Sequence, residues 1–322
     1  ALNTTGAGVV DMGGGTIVGD VVNESTAQQS LSGTIGDGTD GSGSYTQQTA
    51  ATAYTQVVAG DLTVDGAVTI NAGSLTVGDG VTGRTLSADT VAIGSGGTVN
   101  VSAGSTLENT LNGLLSDGDL TNDGVLDIGD GATVQSVGNV LNNGTLAFSG
   151  SATLDANTDG DFSSEVIRNT GLVQANGGAA DTVAVGGDSL INTGTGRLEI
   201  NGGTLNGIDT LTNSSSSATA IQVGVGATLG FNTLNSSAGT VTSAGTLDGD
   251  VALSGTAALV QNAGGSVDGN LSTAGASAFD INGTGGDATV EVTGTLSQVS
   301  TGSSTFAGDV AGNVAVSAGT LT

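Results

Sequence analysis

One short phrase, Gly-[Ser/Thr]-[Leu/Val/Ile], recurs from one end of the chain to the other. It reads Gly15–Thr16–Ile17, Gly33–Thr34–Ile35, Gly73–Ser74–Leu75, Gly97–Thr98–Val99, Gly144–Thr145–Leu146 and Gly203–Thr204–Leu205, and returns at Gly239, Gly245, Gly265, Gly294 and Gly319. Variants such as Gly104–Ser105–Thr106–Leu107, Gly124–Val125–Leu126 and Gly226–Ala227–Thr228–Leu229 fill the gaps. Copies often lie about 20 residues apart, as in Gly104, Gly124, Gly144 and again in Gly226, Gly245, Gly265. A repeat of that length belongs to solenoids, whose short units bury their apolar faces against their neighbours.

The composition suits strands and excludes helices. Gly accounts for 59 of 322 residues, and each Gly inside a helix costs roughly 1 kcal/mol relative to Ala. The apolar residues are mostly Val, Leu, Ile and Ala, with Thr beside them, types that pack on a pleated surface. Their regular supply separates the chain from a disordered acidic linker. Asp61–Leu62–Thr63–Val64–Asp65 and Ala67–Val68–Thr69–Ile70–Asn71 alternate as strands do.

Asn-Gly and Asp-Gly pairs at Asp123, Asn143, Asn201, Asp248 and Asp268 punctuate these runs, and are expected to supply the positive φ of tight turns. Such pairs also close hairpins, but the repeat, with two or three strands per unit, favours winding in one direction. A second phrase, apolar-x-Gly-[Asp/Asn]-apolar, appears at Leu247–Val251 and again at Val267–Leu271.

The expected fold is all-β: a right-handed parallel β-helix, or β-solenoid, of about 20 residues per coil. Coils spaced about 4.8 Å apart would number roughly 16 and span on the order of 75 Å. Asn at corners is expected to form amide ladders from coil to coil. The repeats occupy 57–322. Residues 1–56, irregular and rich in Ser, Thr and Gln, read as an N-terminal capping or inserted segment. Tyr45 and Tyr54 there are either a binding loop or an apolar anchor for the cap.

The formal net charge is −27, with only Arg84, Arg168 and Arg197 on the basic side. Such a chain repels nucleic acid and anionic lipid. No run of some 18 apolar residues is present, so no membrane-inserted helix is expected. His, Cys and Lys are absent, which removes the usual general bases and activated nucleophiles. No catalytic residue and no required cofactor is expected. Of the 30 acids, 25 are Asp, a residue that favours turns through bonds to nearby backbone.

Calcium is the one candidate cofactor. Asp119, Asp123, Gly124, Asp127 and Asp130 match an EF-hand-type loop at positions 1, 5, 6, 9 and 12, with Thr121 at position 3. Asp155, Asn157 and Asp159, followed by Gly160, make a second partial match. Both loops sit between strands, whereas an EF-hand needs flanking helices. The segment Ala175–Val183 is a weak match to a calcium-binding nonapeptide repeat. Thr-x-Thr pairs occur at no fixed period, so no ice-binding ladder is expected.

Ser243–Ala244–Gly245–Thr246–Leu247–Asp248–Gly249–Asp250–Val251–Ala252–Leu253–Ser254–Gly255 and the related text of 306–322 resemble the passenger domains of bacterial autotransporter adhesins. Leu141–Asn142–Asn143–Gly144–Thr145–Leu146 is similar to their xNxGtL units. The resemblance implies a secreted or outer-surface protein of a Gram-negative bacterium, concerned with adhesion, aggregation or matrix. No translocator barrel follows the repeats, so the resemblance leaves open a fragment or another export route.

A repeat that reaches Leu321–Thr322 without a cap would offer unpaired strand edges to a further chain. The first expectation is therefore a structural solenoid that self-associates as a homo-oligomer or filament. The alternative is a monomeric adhesin binding a surface glycan or protein through its loops. A polysaccharide-degrading β-helix is the third and weakest reading.

Overall fold

The computed structural model describes residues 1–39, 41–48, 55–110, 118–156, 158, 165–186, 189–282 and 291–322, with 55–57, 282 and 291 as backbone only. The chain divides into two compact units, Ala1–Ile167 and Arg168–Thr322. Among the described residues of both units every element is a strand, and strands pair in parallel with those one turn away. Each unit is a β-solenoid.

Three stacks of strands build each unit, and alternation decides what points inward. In the first unit, Leu62, Leu86, Leu107, Val134 and Leu154 are register partners in the first stack. Val68, Val91, Leu120 and Val140 form the second, and Leu75, Val99, Leu126 and Leu146 the third. All are at most 2% exposed. In the second unit Leu205, Leu229, Leu247 and Val267 lie in the first stack. Leu211, Leu234, Val251 and Leu271 follow in the second, and Leu198, Ile221, Val241 and Leu259 in the third. The core is three columns of aliphatic side chains, each touching the copy above and below.

The turns are longer and less uniform than the phrase spacing suggests. Parallel strands stack about 23 residues apart; the register pairs Leu234 with Val251, 17 residues on, and Leu271 with Leu296, 25 residues on. The discrepancy has a structural origin. Gly104 leads into the first stack, but Gly124 and Gly144 lead into the third. One phrase marks two different corners, so counting between its copies mixes whole turns with parts of turns. Strand pairing also runs through residues 2–47: Leu2–Gly6 pairs with Val21–Ser25, which pairs with Tyr45–Gln47, which pairs with Val68–Ile70.

Corner glycines carry a constraint different from the expected one. Gly124 and Gly144 do not adopt positive φ. Their Cα atoms instead face the carbonyl oxygens of the preceding turn. A Cβ at Gly144 would lie 2.1 Å from Gly124 O, and one at Gly245 would lie 2.2 Å from Ala227 O. Gly249 shows the other behaviour, with φ of 140° and no room beside Phe231.

The expected amide ladder is present in both units. It occupies the inward position that ends second-stack strands. Asn122 Nδ2 donates to Asn142 Oδ1 at 2.7 Å. In the second unit Asn169 donates to Asn192 (2.8 Å), Asn192 to Asn213 (2.9 Å) and Asn213 to Ser236 Oγ (2.9 Å). Each amide also bonds to carbonyls at the corner, as Asn192 does with Gly196 and Ala220. All are at most 1% exposed, where unmade bonds would cost about 1–3 kcal/mol each. Gln261 is the contrast: fully buried between Ser243 and Ile281, its amide nitrogen and oxygen have no partner among the described residues.

Two substitution pairs test this account by chemical denaturation. Gly144→Ala is expected to destabilise by about 3 kcal/mol, because backbone must move to admit the methyl. Gly226→Ala, at positive φ but in open space, is expected to cost about 1 kcal/mol. In the core, Asn192→Leu is expected to cost at least about 3 kcal/mol, whereas Gln261→Leu is expected to stabilise by about 1 kcal/mol, having no bond to lose.

Candidate functional site

The calcium-loop residues are spread along a strand, a corner and a second strand. Asp119 and Thr121 belong to the second-stack segment around Leu120–Asn122, Asp123 to the corner, Asp127 to Val125–Ile128, and Asp130 to the next corner. They alternate with core residues Leu120, Asn122, Leu126 and Ile128, so they fall on the outer face. Four of these carboxylates are engaged by the following turn. Asp119 Oδ1 accepts the N–H and side-chain amide of Asn139 (3.0 and 2.9 Å). Asp123 accepts from Asn143 (2.8 Å), Asp127 from the hydroxyl of Ser149 (2.8 Å), and Asp130 from the N–H of Ser151 (3.0 Å). Among the described residues no three His, Cys, Asp or Glu side chains form a group that could hold a metal.

Of the second loop, Asn157 and Asp159 lie outside the described residues. Asp155 sits on Ala152–Ala156 with its side chain partly covered, and that burial raises its carboxyl above the usual range. In the segment 175–183, Asp181 accepts the N–H of Gly178 and so caps its own turn.

Tyr45 is not a ligand-facing aromatic. It is 1% exposed, accepts from Asn23 and donates to Gln47, and burial pushes its hydroxyl far above the ordinary tyrosine value. The anchor reading holds for this residue. Tyr54 lies outside the described residues.

A pattern not anticipated from the sequence emerges at the residue preceding second-stack strands. Asp20 accepts the N–H and hydroxyl of Ser44 (3.1 and 2.8 Å). Asp250 accepts the N–H and amide of Asn270 (both 2.9 Å), and Asn270 in turn accepts the N–H of Thr295 (2.8 Å). With Asp119 and Asn139, these make a recurring clasp in which a short acceptor holds the next turn's corner. The visible signal was Asp-apolar followed about 20 residues later by Asn-apolar, as in Asp250–Val251 and Asn270–Leu271.

The outer face of the second unit carries a cleft of about 370 Å³ lined by Asn206, Gly207, Ile208, Asp209, Gly230, Phe231, Asn232 and Asp248. Phe231 and Ile208 are buried beneath it, while Asp209, Asn232 and Asp248 are exposed. Its carboxylates and carboxamides can accept and donate hydrogen bonds to a small polar molecule. Comparison of the chain with protein-family models, with curated proteins and with solved structures finds no significant match.

The Asp155 carboxyl gives a pH test with a definite sign. A carboxyl raised on folding favours the native state below its unfolded pKa, and that contribution is lost as pH rises through the folded value. Asp155→Asn is therefore expected to raise the melting midpoint at pH 7, and the gain is expected to vanish below the ordinary carboxylate range near about pH 3. A midpoint that rises with added Ca²⁺ in the parent, and not in this variant, would support a metal role for the loop.

Proposed function

We propose that this chain is a non-catalytic structural solenoid of a bacterial surface or extracellular matrix, acting in adhesion or aggregation through self-association. The observation that carries this reading is where the polar chemistry goes. Inward amides join one turn to the next, and outward carboxylates such as Asp20, Asp119 and Asp250 clasp the following turn. Polar groups elsewhere associated with catalysis are here spent on stacking, in a chain without His, Cys or Lys. A surface built this way is repetitive and acidic, which suits a scaffold. Export as an unfolded chain is compatible with the absence of Cys. The second reading, an adhesin that binds a surface glycan as a monomer, is favoured by the cleft at Asp209 and Asp248.

Electron microscopy of the purified chain across concentration and salt separates the two. A charge of −27 opposes association while the Debye length is about 30 Å at 0.01 M salt, and less when it is about 8 Å at 0.15 M. Filaments or bundles that grow with concentration and with salt are expected. Isolated particles under every condition would overturn the self-associating scaffold.

A further inference from the structure

An Asn followed by Gly can react with its own backbone. With no Cβ in the way, the Gly nitrogen reaches the Asn Cγ once the peptide between them rotates. Among the described residues four such pairs occur: Asn143–Gly144, Asn176–Gly177, Asn201–Gly202 and Asn206–Gly207. The stack holds them differently, and their reactivity follows from how each Gly nitrogen is held.

Three of the pairs are pinned against a neighbouring turn. Gly144 donates its N–H to Asn122 O at 2.9 Å, and the Asn143 N–H goes to the same oxygen at 2.8 Å. A Cβ at Gly144 would also meet Gly124 O at 2.1 Å. Gly202 lies within the strand Arg197–Gly202 as register partner of Asn176, with Gly177 O 2.4 Å from its Cβ position. Gly207 lies within Thr204–Asn213, with φ of +83° and Val185 O 2.0 Å from its Cβ position. In each pair, rotating the Asn–Gly peptide drives backbone into backbone or breaks a bond to another turn.

Asn176–Gly177 is held by neither means. Asn176 is the last residue of Leu172–Asn176, and the ladder to Arg197–Gly202 shifts register just before it. Gly177 belongs to no strand, and its N–H bonds to no described residue. The atoms nearest its Cβ position belong to the Asp181 side chain, from 2.7 Å, and not to the backbone of another turn. The corner is fixed farther along, where Asp181 accepts the Gly178 N–H. Asn176 is exposed, so water reaches it, and its Oδ1 accepts from Asn201 Nδ2 at 2.8 Å. A donor on that oxygen steadies the charge that forms there when a nucleophile adds to Cγ.

We propose that Asn176–Gly177 is a modification site at which the chain deamidates itself through a cyclic imide. The Gly177 nitrogen bonds to Asn176 Cγ, the Cγ–Nδ2 bond breaks, and the proton of the Gly177 N–H leaves with Nδ2 as ammonia. Water then opens the imide. Attack at Cγ gives aspartate on an ordinary backbone, and attack at the main-chain carbonyl gives isoaspartate, with the chain routed through the side chain. Either product adds one negative charge to the outer face, where a carboxylate still accepts from Asn201. The site lies away from the inward ladder of Asn169, Asn192 and Asn213. The reaction is confined to one chain and is independent of self-association.

The test is peptide mass spectrometry of the full chain after prolonged incubation in neutral buffer made with heavy-oxygen water, in parallel with and without guanidinium. In the native chain, heavy oxygen is expected to enter at Asn176 about tenfold faster, or more, than at Asn143, Asn201 or Asn206, because pinned backbone opens less often. In guanidinium the four rates are expected to converge, and isoaspartate is expected beside aspartate at Asn176 in both samples. Gly177→Ala is expected to slow the reaction about tenfold or more, since a Cβ obstructs the nitrogen. The same slowing in guanidinium separates that effect from any disturbance of the fold. A native rate at Asn143, Asn201 or Asn206 equal to that at Asn176 would overturn the proposal. So would an inert Asn176 in the native chain while the unfolded chain reacts, aspartate without isoaspartate, or an undiminished rate in Gly177→Ala.

Discussion

The closest approach between successive turns sets the terms for everything else. Strand hydrogen bonding holds neighbouring backbones about 4.8 Å apart, and at the corners the chain bends inward onto the turn before it. There the carbonyl oxygen of the preceding turn takes the space a Cβ would need, 2.1 Å away at Gly144 and 2.2 Å at Gly124 and Gly245. Glycine at these corners is therefore a steric requirement rather than a source of flexibility. The backbone freedom it gives to the unfolded chain is a cost, offset by closing three dense aliphatic columns against their neighbours.

That tight stacking also explains where polar groups are tolerated inside. The inward position ending the second stack is Ile70 and Ile93 in two turns of the first unit, then Asn122 and Asn142. Both chemistries fit, but an amide needs an amide or hydroxyl neighbour. Asn122 donates upward to Asn142, while Ile93 lies on its other side and the Asn122 Oδ1 is left without a partner among the described residues. In the second unit the column passes from Asn213 to Ser236 and then to Leu253, so a hydroxyl ends the ladder before the apolar residue is reached. A ladder of this kind opposes register slip, because moving a turn by one residue would bury amides opposite aliphatic groups.

The solenoid was legible because Gly-Thr-Leu encodes two consequences of one geometry: a corner with no room for a side chain, and a strand whose next inward residue is aliphatic. Turn length was less legible because the same phrase serves corners leading into the first and the third stacks. The reason for the corner glycines was misplaced too, since φ at Gly144 is unremarkable and the obstacle is another turn's carbonyl. Among the described residues the calcium-motif carboxylates form no group that could hold a metal; on two strands their spacing makes a row of outward side chains. The cleft had no sequence signal at all, as it depends on the difference between corner lengths in three separate turns.

The preference for Asp over Glu follows from the same spacing. At a corner the ladder loses its regular alignment, and N–H groups such as those of Ser44, Asn139 and Asn270 need an acceptor from the side. A carboxylate on a short stem, placed one turn earlier, reaches them: Asp20, Asp119 and Asp250 do so at 2.9 to 3.1 Å. Glu would place the same group one methylene farther out, with more rotamer freedom to lose. Local stacking needs therefore contribute to the strongly negative surface, and acidity here is partly a by-product of fold. An acid that clasps none of the described residues, such as Asp248, then stands out as one whose position the stack does not explain.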